Sequence, residues 1–439
     1  MNTVDTIAAI ATCSGGAISV VRISGPQALE VVQSVWRGRG LDIPRRMNLG
    51  SVSATGDRAL AVFMPGPNSY TGDDVAELQI HGGNLAARRT LEACFAAGAR
   101  PAEPGEFTFR AFVNGKLDLA QAEAVADFVA ASGDAALALA AHQLSGALSR
   151  RISGLRTRLV DILGDLESRL DFPEEHLDWA TPAELNSSIA SVVGEIELLR
   201  STLCAGRRFR DGVAVVICGR PNAGKSSLLN ALLGRDRAIV SATPGTTRDT
   251  IDEFVTLRNL PVRLTDTAGI RTAEGEIEEE GVERARAALN RADVVLWVID
   301  ASEPSPSLPE LAGLKSPVIA IWNKCDLPHC ALPELPFASV EISTLERTGF
   351  DVLLDTFEST VWQGGREAVP EVAVNERHAA SLDEAADSLS GTSIEIIGKH
   401  WELASVLVRQ AVDALGEITG ETASVDVLDN IFSRFCIGK

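Results

Sequence analysis

The spacing of apolar positions changes along the chain and divides it into stretches of different texture. Over residues 1–116 short apolar runs alternate with helical stretches. Residues 17–23, 60–64 and 75–80 read as strands, and 26–36 and 84–97 as helices. From 117 onward the spacing becomes that of amphipathic helices over long Ala/Leu-rich stretches, 117–131, 134–148, 152–170 and 183–203, interrupted at Gly133 and at Asp171-Phe172-Pro173. Between about 211 and 361 buried-strand runs return at 213–218, 262–264 and 317–322, and a helical pattern at 227–233 follows the first of them. Residues 371–389, 399–415 and 425–435 are helical again. The simplest organisation is multidomain, α/β and α. An α+β domain occupies 1–116, a helical domain is built from 117–210 and 366–439, and an α/β domain at 211–365 is inserted between the helical parts. Two separate helical domains are the alternative.

The inserted domain carries the densest chemistry. Gly219-Arg220-Pro221-Asn222-Ala223-Gly224-Lys225-Ser226 lies between the strand 213–218 and the helix 227–233. Strand, glycine loop and helix form the context of a phosphate-binding loop. Gly219 and Gly224 let successive backbone N–H groups turn toward a polyphosphate, and the helix adds its positive end. Lys225 is placed for the β- and γ-phosphates, and the Ser226 hydroxyl for Mg²⁺; Ala223 and Ser227 complete the cradle. Asp266-Thr267-Ala268-Gly269 ends a second apolar run, where an acid serves as a water-mediated Mg²⁺ ligand and γ-phosphate sensor. Between the two lies Pro244-Gly245-Thr246-Thr247-Arg248-Asp249, with the Thr247 hydroxyl a further Mg²⁺ candidate. Asn323-Lys324-Cys325-Asp326 follows the third strand. Its Asp326 carboxylate can accept both N1–H and N2–H of guanine, a donor pair adenine lacks. Four motifs in this order resemble those of a translation-factor-class GTPase, which implies GTP and Mg²⁺.

Composition narrows the partners. The chain has 439 residues, a net charge of −20 and seven cysteines without paired or zinc-like spacing, which predicts a reducing compartment. No 18-residue uncharged apolar run and no basic-then-apolar leader occur, so a cytoplasmic protein without membrane or DNA partners is expected. The charge argues against a broad nucleic-acid-coating surface. Residues 1–116, however, hold 11 Lys/Arg against 10 Asp/Glu, so any RNA contact is expected there or in a cleft bordering it.

Within the first domain Arg22 interrupts one apolar strand and Glu77 another, just before His81-Gly82-Gly83. Phe107, Arg110, Asn114 and Lys116 form a polar-aromatic cluster after a Pro-Gly turn. On residue physics alone Arg22 and Glu77 read as a cross-strand ion pair and His81 as a satisfied residue near a turn.

Residues at both ends and in the middle point to one family. They are Asp5-Thr6-Ile7-Ala8-Ala9, Val21-Arg22-Ile23-Ser24-Gly25, Glu77 with His81-Gly82-Gly83, and Pro104-Gly105-Glu106-Phe107-Thr108. Asn114-Gly115-Lys116-Leu117-Asp118-Leu119, Ile418-Thr419-Gly420-Glu421 and the tail Phe435-Cys436-Ile437-Gly438-Lys439 join them. The whole chain resembles the MnmE (TrmE) family of tRNA-modification GTPases. The resemblance implies a folate-binding, dimerising N-terminal α+β domain, a discontinuous helical domain and an inserted Ras-like G domain. It also implies work with the flavoprotein MnmG, as a heterotetramer, on the C5 position of the wobble uridine of tRNA, using a 5-formyl- or 5,10-methylene-tetrahydrofolate one-carbon unit. Arg22, Glu77, Lys116 and Lys439 fall on the family's folate-site positions. A dianionic glutamyl tail and a polar pterin suit arginine, carboxylate and lysine together.

The resemblance also addresses catalysis. Ile270 stands where many GTPases place a water-orienting glutamine, and neither Arg248 nor Arg271 is marked as a finger. The family uses K⁺ instead, held by the Asn222 side chain and the 241–246 loop, which includes Ser241, Thr243 and Thr246. Pro244 stiffens that loop but leaves its carbonyls available. Glu278, within an acidic run, matches the family's water-holding glutamate; without the resemblance that run reads as a solvated helix start. Ser343-Thr344-Leu345 replaces the usual Ser-Ala-Lys-like guanine contact. Cys436 reads as a small core residue, whereas the family places it near the folate site. His329 and Cys330 have no assigned role. Two further classes are open: a ribosome-assembly GTPase, and a folate-dependent one-carbon transferase that the G domain only regulates. The first usually carries a basic appendix, whereas residues 366–439 hold 6 Lys/Arg and 13 Asp/Glu.

Overall fold

A computed structural model describes residues 4–13, 15–172, 179–234, 252–258, 260–266, 288–303, 314, 316–328, 332, 334–362 and 369–438. They form two compact units, one of Met1–Ala126, Leu144–Glu197 and Ala380–Lys439, the other of Asp127–Gln143 and Leu198–Ala379.

The first unit opens with β1 (Ile7–Ile10), β2 (Ile18–Ser24), α1 (Ala28–Val35), β3 (Trp36–Gly38), β4 (Asn48–Val52), β5 (Arg58–Met64), β6 (Val75–His81), α2 (Asn84–Ala96), β7 (Arg100–Pro101) and α3 (Glu106–Val113). The strands make one sheet in the order β3-β4-β5-β6-β2-β1-β7, antiparallel except between β1 and β7. Strand side chains alternate between faces. One row, Val21, Ile23, Ala61, Phe63, Ala76, Leu78 and Ile80, therefore packs with Ala28, Val31, Val32, Ala87 and Cys94 of α1 and α2. The other row carries Arg22 and Glu77.

Helices from both flanks of the α/β segment belong to the same unit, so the helical domain is discontinuous. Next in the chain come α4 (Leu119–Ala130), α5 (Asp134–Leu144), α6 (Ala147–Asp171), α7 (Pro182–Ser201) and α8 (Leu203–Arg210). The apolar stripe of α6, Ile152, Leu155, Leu159, Ile162 and Leu166, is buried. The 134–148 pattern is broken at Gly146, whose φ of 80° ends one helix and starts the next.

The second unit continues with β8 (Val213–Gly219), α9 (Lys225–Leu233), β9 (Asp252–Leu257), β10 (Leu260–Asp266), β11 (Val294–Asp300), β12 (Val318–Asn323), β13 (Ala338–Glu341) and α10 (Phe350–Val361). The sheet order is β13-β12-β11-β8-β10-β9, with β9 alone antiparallel. Parallel strands covered on both faces read as continuous apolar runs: all seven residues of β11 and all six of β12 are buried. Leu139 of α5 and Phe209 of α8 join the apolar cluster of this sheet. Beyond α10 the chain forms α11 (Glu376–Ile397), α12 (Trp401–Thr419) and α13 (Val425–Phe432). Helix α12 packs along α6, and Phe432 of α13 stacks edge-on against Phe109 of α3 at 5.2 Å. Among the described residues no helix is long and apolar enough to cross a membrane.

Candidate functional site

Doubly wound sheets bind ligands beyond the carboxyl ends of their strands, where the chain direction of the connections switches. A cavity of about 640 Å³ lies there in the second unit, lined by residues that include Asn222, Gly224, Lys225, Ser226, Ser227, Asn323, Lys324, Asp326 and Leu345. The glycine loop is tightly fitted. Gly219 has φ 147°, and a Cβ there would lie 2.2 Å from the Val298 carbonyl oxygen. Gly224 has φ 101°, with a Cβ position 2.0 Å from Asn323 Nδ2. Neither position accepts a side chain. Lys225, 9% exposed, donates from Nζ to the carbonyls of Gly219 (3.0 Å) and Arg220 (2.7 Å), which keeps the ammonium inside the loop.

Asn323 joins this loop to the 343–346 segment. Fully buried, it donates from Nδ2 to the Ala223 carbonyl (2.9 Å) while its Oδ1 accepts the Thr344 N–H (3.2 Å). Ser343 donates to Asp326 Oδ1 at 2.6 Å and accepts the Glu346 N–H at 3.0 Å. The carboxylate is thereby oriented with its second oxygen left to accept. Lys324, at φ 66°, pairs with Asp300 at the end of β11. Burial raises the Asp300 carboxyl, but hydrogen bonds from the Lys324 ammonium and from Ser302, with the charge of Lys324, bring it below the usual range. The sequence reading missed Asp300; its signal is the acid ending the apolar run 294–299, in register with Asn323. Ser226 and Asn222 are exposed at the cleft, and neither side chain is hydrogen-bonded among the described residues. Both fit the oxygen-seeking cations expected of them. Ser241, Thr243, Thr246, Thr247, Arg248, Thr267, Ala268, Gly269, Ile270, Arg271, Glu278, His329, Cys330 and Lys439 lie outside the described residues. Asp266 is described only through its backbone, paired with Ile217.

A second constellation lies on the other face of the first unit's sheet, where Arg22 and Glu77 are half-buried. Arg22 and Glu77 are register partners, and Arg22 Nε donates to Glu77 Oε1 at 2.8 Å. The cross-strand pair expected from residue physics is therefore present. The Arg22 guanidinium also lies 5.5 Å from the Tyr70 ring centroid and 5.8 Å from that of Phe107, and its Nη1 is 3.5 Å from the Gly438 carbonyl. Gly438, at φ 98°, has its Cβ position 2.4 Å from the Ile10 carbonyl oxygen, so glycine alone lets the tail approach β1. Cys436 is exposed. Lys116 is exposed and makes no side-chain pair among the described residues. Tyr70, absent from the sequence reading, donates to or accepts from Thr108 Oγ1 at 2.9 Å; a single tyrosine in a loop carries no periodic signal. His81 contacts Asp57 at 2.6 Å, with its ring exposed. Arg110 is structural: fully buried, it donates from Nη2 to Asp5 (2.7 Å) and Glu106 (2.9 Å), which Arg100 also contacts.

Sheet order, glycine loop and the Asn323-Lys324-Cys325-Asp326 segment at the cleft together define a P-loop GTPase. A family profile described as the MnmE helical domain matches residues 119–436, and one described as GTP-binding protein TrmE N-terminus matches residues 6–116. The tRNA modification GTPase MnmE of Geobacter sulfurreducens is 45% identical over 454 residues of alignment, covering 99% of each chain. Those of Symbiobacterium thermophilum (45% over 462 residues, 99% of each) and Protochlamydia amoebophila (41% over 452 residues, 99% of this chain and 98% of that one) are similarly close. The chain belongs to the MnmE family of tRNA modification GTPases.

Proposed function

We propose that the protein is the K⁺-activated, GTP-hydrolysing component of an assembly that, with the flavoprotein MnmG, builds an aminomethyl-type group at C5 of the wobble uridine of tRNA. It works in the cytoplasm as a homodimer, within a heterotetramer with its partner. The observation that carries this reading is end-to-end similarity to MnmE relatives in a chain that holds both a guanine-nucleotide cleft and the Arg22–Glu77 constellation.

In the cleft Asp326 reads guanine, Lys225 and the loop N–H groups hold phosphates, and Ser226 offers its hydroxyl to Mg²⁺. Asn222 offers its amide oxygen to K⁺, and Glu278 holds the attacking water. When bound, the two cations offset the charge that develops on the phosphates. On the sheet face Glu77 suits the N–H donors of a pterin, Arg22 its carbonyl or a carboxylate, and Tyr70 a ring; Lys116 and Lys439 suit the glutamyl tail. The bound tetrahydrofolate supplies a one-carbon unit, and Cys436 is the candidate nucleophile or acid beside it.

Mass spectrometry of tRNA from a deletion strain tests the reading. The wobble modification is expected to disappear and to return with the wild-type gene; tRNA that keeps its full modification overturns it.

A further inference from the structure

The first unit's sheet ends at β3, and that end is basic. Of the ten arginines in residues 1–116, five face carboxylates, among them Arg22, Arg100 and Arg110. The other five, Arg37, Arg39, Arg45, Arg46 and Arg58, are exposed and lie in no ion pair among the described residues. Among the described residues Arg37 donates to the backbone carbonyls of Ser34 (3.5 Å) and Trp36 (3.4 Å), and Arg45 to that of Asn68. Between residues 31 and 58 the only acids are Asp42 and Asp57, and Asp57 is engaged by His81. In a chain of net charge −20 this is a local excess of fixed positive charge that no carboxylate pairs with among the described residues.

Register gives the group a direction. Arg37 pairs with Ser51, and Ser51 with Arg58, so both arginines project from one face of the sheet. The row Arg58, Leu60, Val62 continues through the β5–β6 pairing to Glu77 and its partner Arg22. The arginine edge therefore borders the face that carries the second constellation. Strand spacing and rise put Arg58 and Arg22 roughly 15–20 Å apart.

We propose that this arginine-bearing sheet edge holds the phosphate backbone of the RNA substrate, so that a nucleotide of the same molecule reaches the Arg22–Glu77 face. The proposal rests on the reading that tRNA is the substrate. Planar guanidinium groups free of internal carboxylates suit phosphate oxygens. Charge on an edge strand also guards a sheet against edge-to-edge pairing. That duty needs charge on β3 alone, whereas Arg58 lies on an interior strand and Arg46 in the loop before β4.

The test is fluorescence anisotropy of the full-length protein against a fluorescein-labelled, unmodified transcript of a tRNA with uridine at the wobble position, titrated at several salt concentrations. The variant Arg37→Gln/Arg39→Gln/Arg46→Gln/Arg58→Gln is expected to bind about tenfold or more weakly at low salt, with the slope of log K against log salt reduced by about two to three. Lysine at the same four positions should keep most of that slope, and GTP hydrolysis and the melting temperature should match wild type. Unchanged affinity and slope in the glutamine variant, with a wild type that binds, overturn this surface and leave the tRNA reading standing. A wild type that binds no tRNA at any salt overturns both.

Discussion

Asn323 illustrates how much of the nucleotide site depends on one side chain that points at protein. Its amide holds the Ala223 carbonyl on one side and the Thr344 N–H on the other. Asn323→Ala removes a partner from the buried Ala223 carbonyl, at about 1–3 kcal/mol, and from the half-buried Thr344 N–H, and it frees the glycine loop from the 343–346 segment. GDP affinity, read with a fluorescent analogue, should fall at least about tenfold; unchanged affinity would show that the brace is dispensable. Asp326 makes a sharper statement. Ser343 holds one oxygen, so Asp326→Asn presents an amide that no longer accepts the guanine donor pair but can donate to the 2-oxo group of xanthine. Competition binding should show preference moving from GTP to XTP. Arg22 and Glu77 were legible as a pair because each interrupts an apolar strand. The clasp of Arg22 between Tyr70 and Phe107 was not, because Tyr70 arrives from a loop distant in sequence from Arg22 and Phe107.

At the scale of elements, long periodic segments were legible and short glycine-bearing strands were not. The 84–97 helix and the 75–80 strand correspond to α2 and β6 within a residue. Strands β3 and β4 left no signal because Gly38 and Gly50 read as turns. In the structure the Trp36 ring lies over both, with Cβ positions 2.8 and 2.5 Å from it, so a strand there requires glycine. The helix expected from 371 begins at Glu376: Val372, Ala373 and Val374 are buried ahead of α11, and Asn375 Oδ1 accepts the His378 N–H at 2.8 Å. Arg110 was legible only as part of a polar-aromatic cluster, because nothing in the sequence signals that α3 buries it. Its position makes a stability prediction. Arg110→Met leaves Asp5 and Glu106 with Arg100 alone, and breaking a buried pair from one side costs about 3–5 kcal/mol; urea unfolding should show that loss. For Glu106, burial raises the carboxyl but the Arg100 bond, the Glu103 N–H and Arg110 bring it below its ordinary value; for Asp5, burial is likewise outweighed by Arg100 and Arg110. A depressed folded-state carboxyl stabilises fully above its unfolded value and less as pH falls through the folded one. Wild-type stability should therefore decline below about pH 4, and the decline should be shallower in Arg110→Met.

For the whole molecule, the distribution of periodicities anticipated the inserted G domain, because helices before and after it share one apolar texture; α6, which ends at Asp171, and α12, which begins at Trp401, pack together as that texture implies. Residue physics alone did not indicate which groups act at the phosphates when no glutamine follows the 266–269 motif; only the family resemblance pointed to K⁺ and Glu278. On the proposed function that work falls to K⁺ on Asn222, a residue at φ 63° on the cleft's rim whose amide makes no hydrogen bond among the described residues. The most direct test is GTP hydrolysis by the purified protein in K⁺ against Na⁺ buffer, with Asn222→Ala measured alongside. Strong activation by K⁺ that the substitution abolishes, with GDP still bound, is expected. Equal rates in both salts, or activation that survives Asn222→Ala, would contradict it.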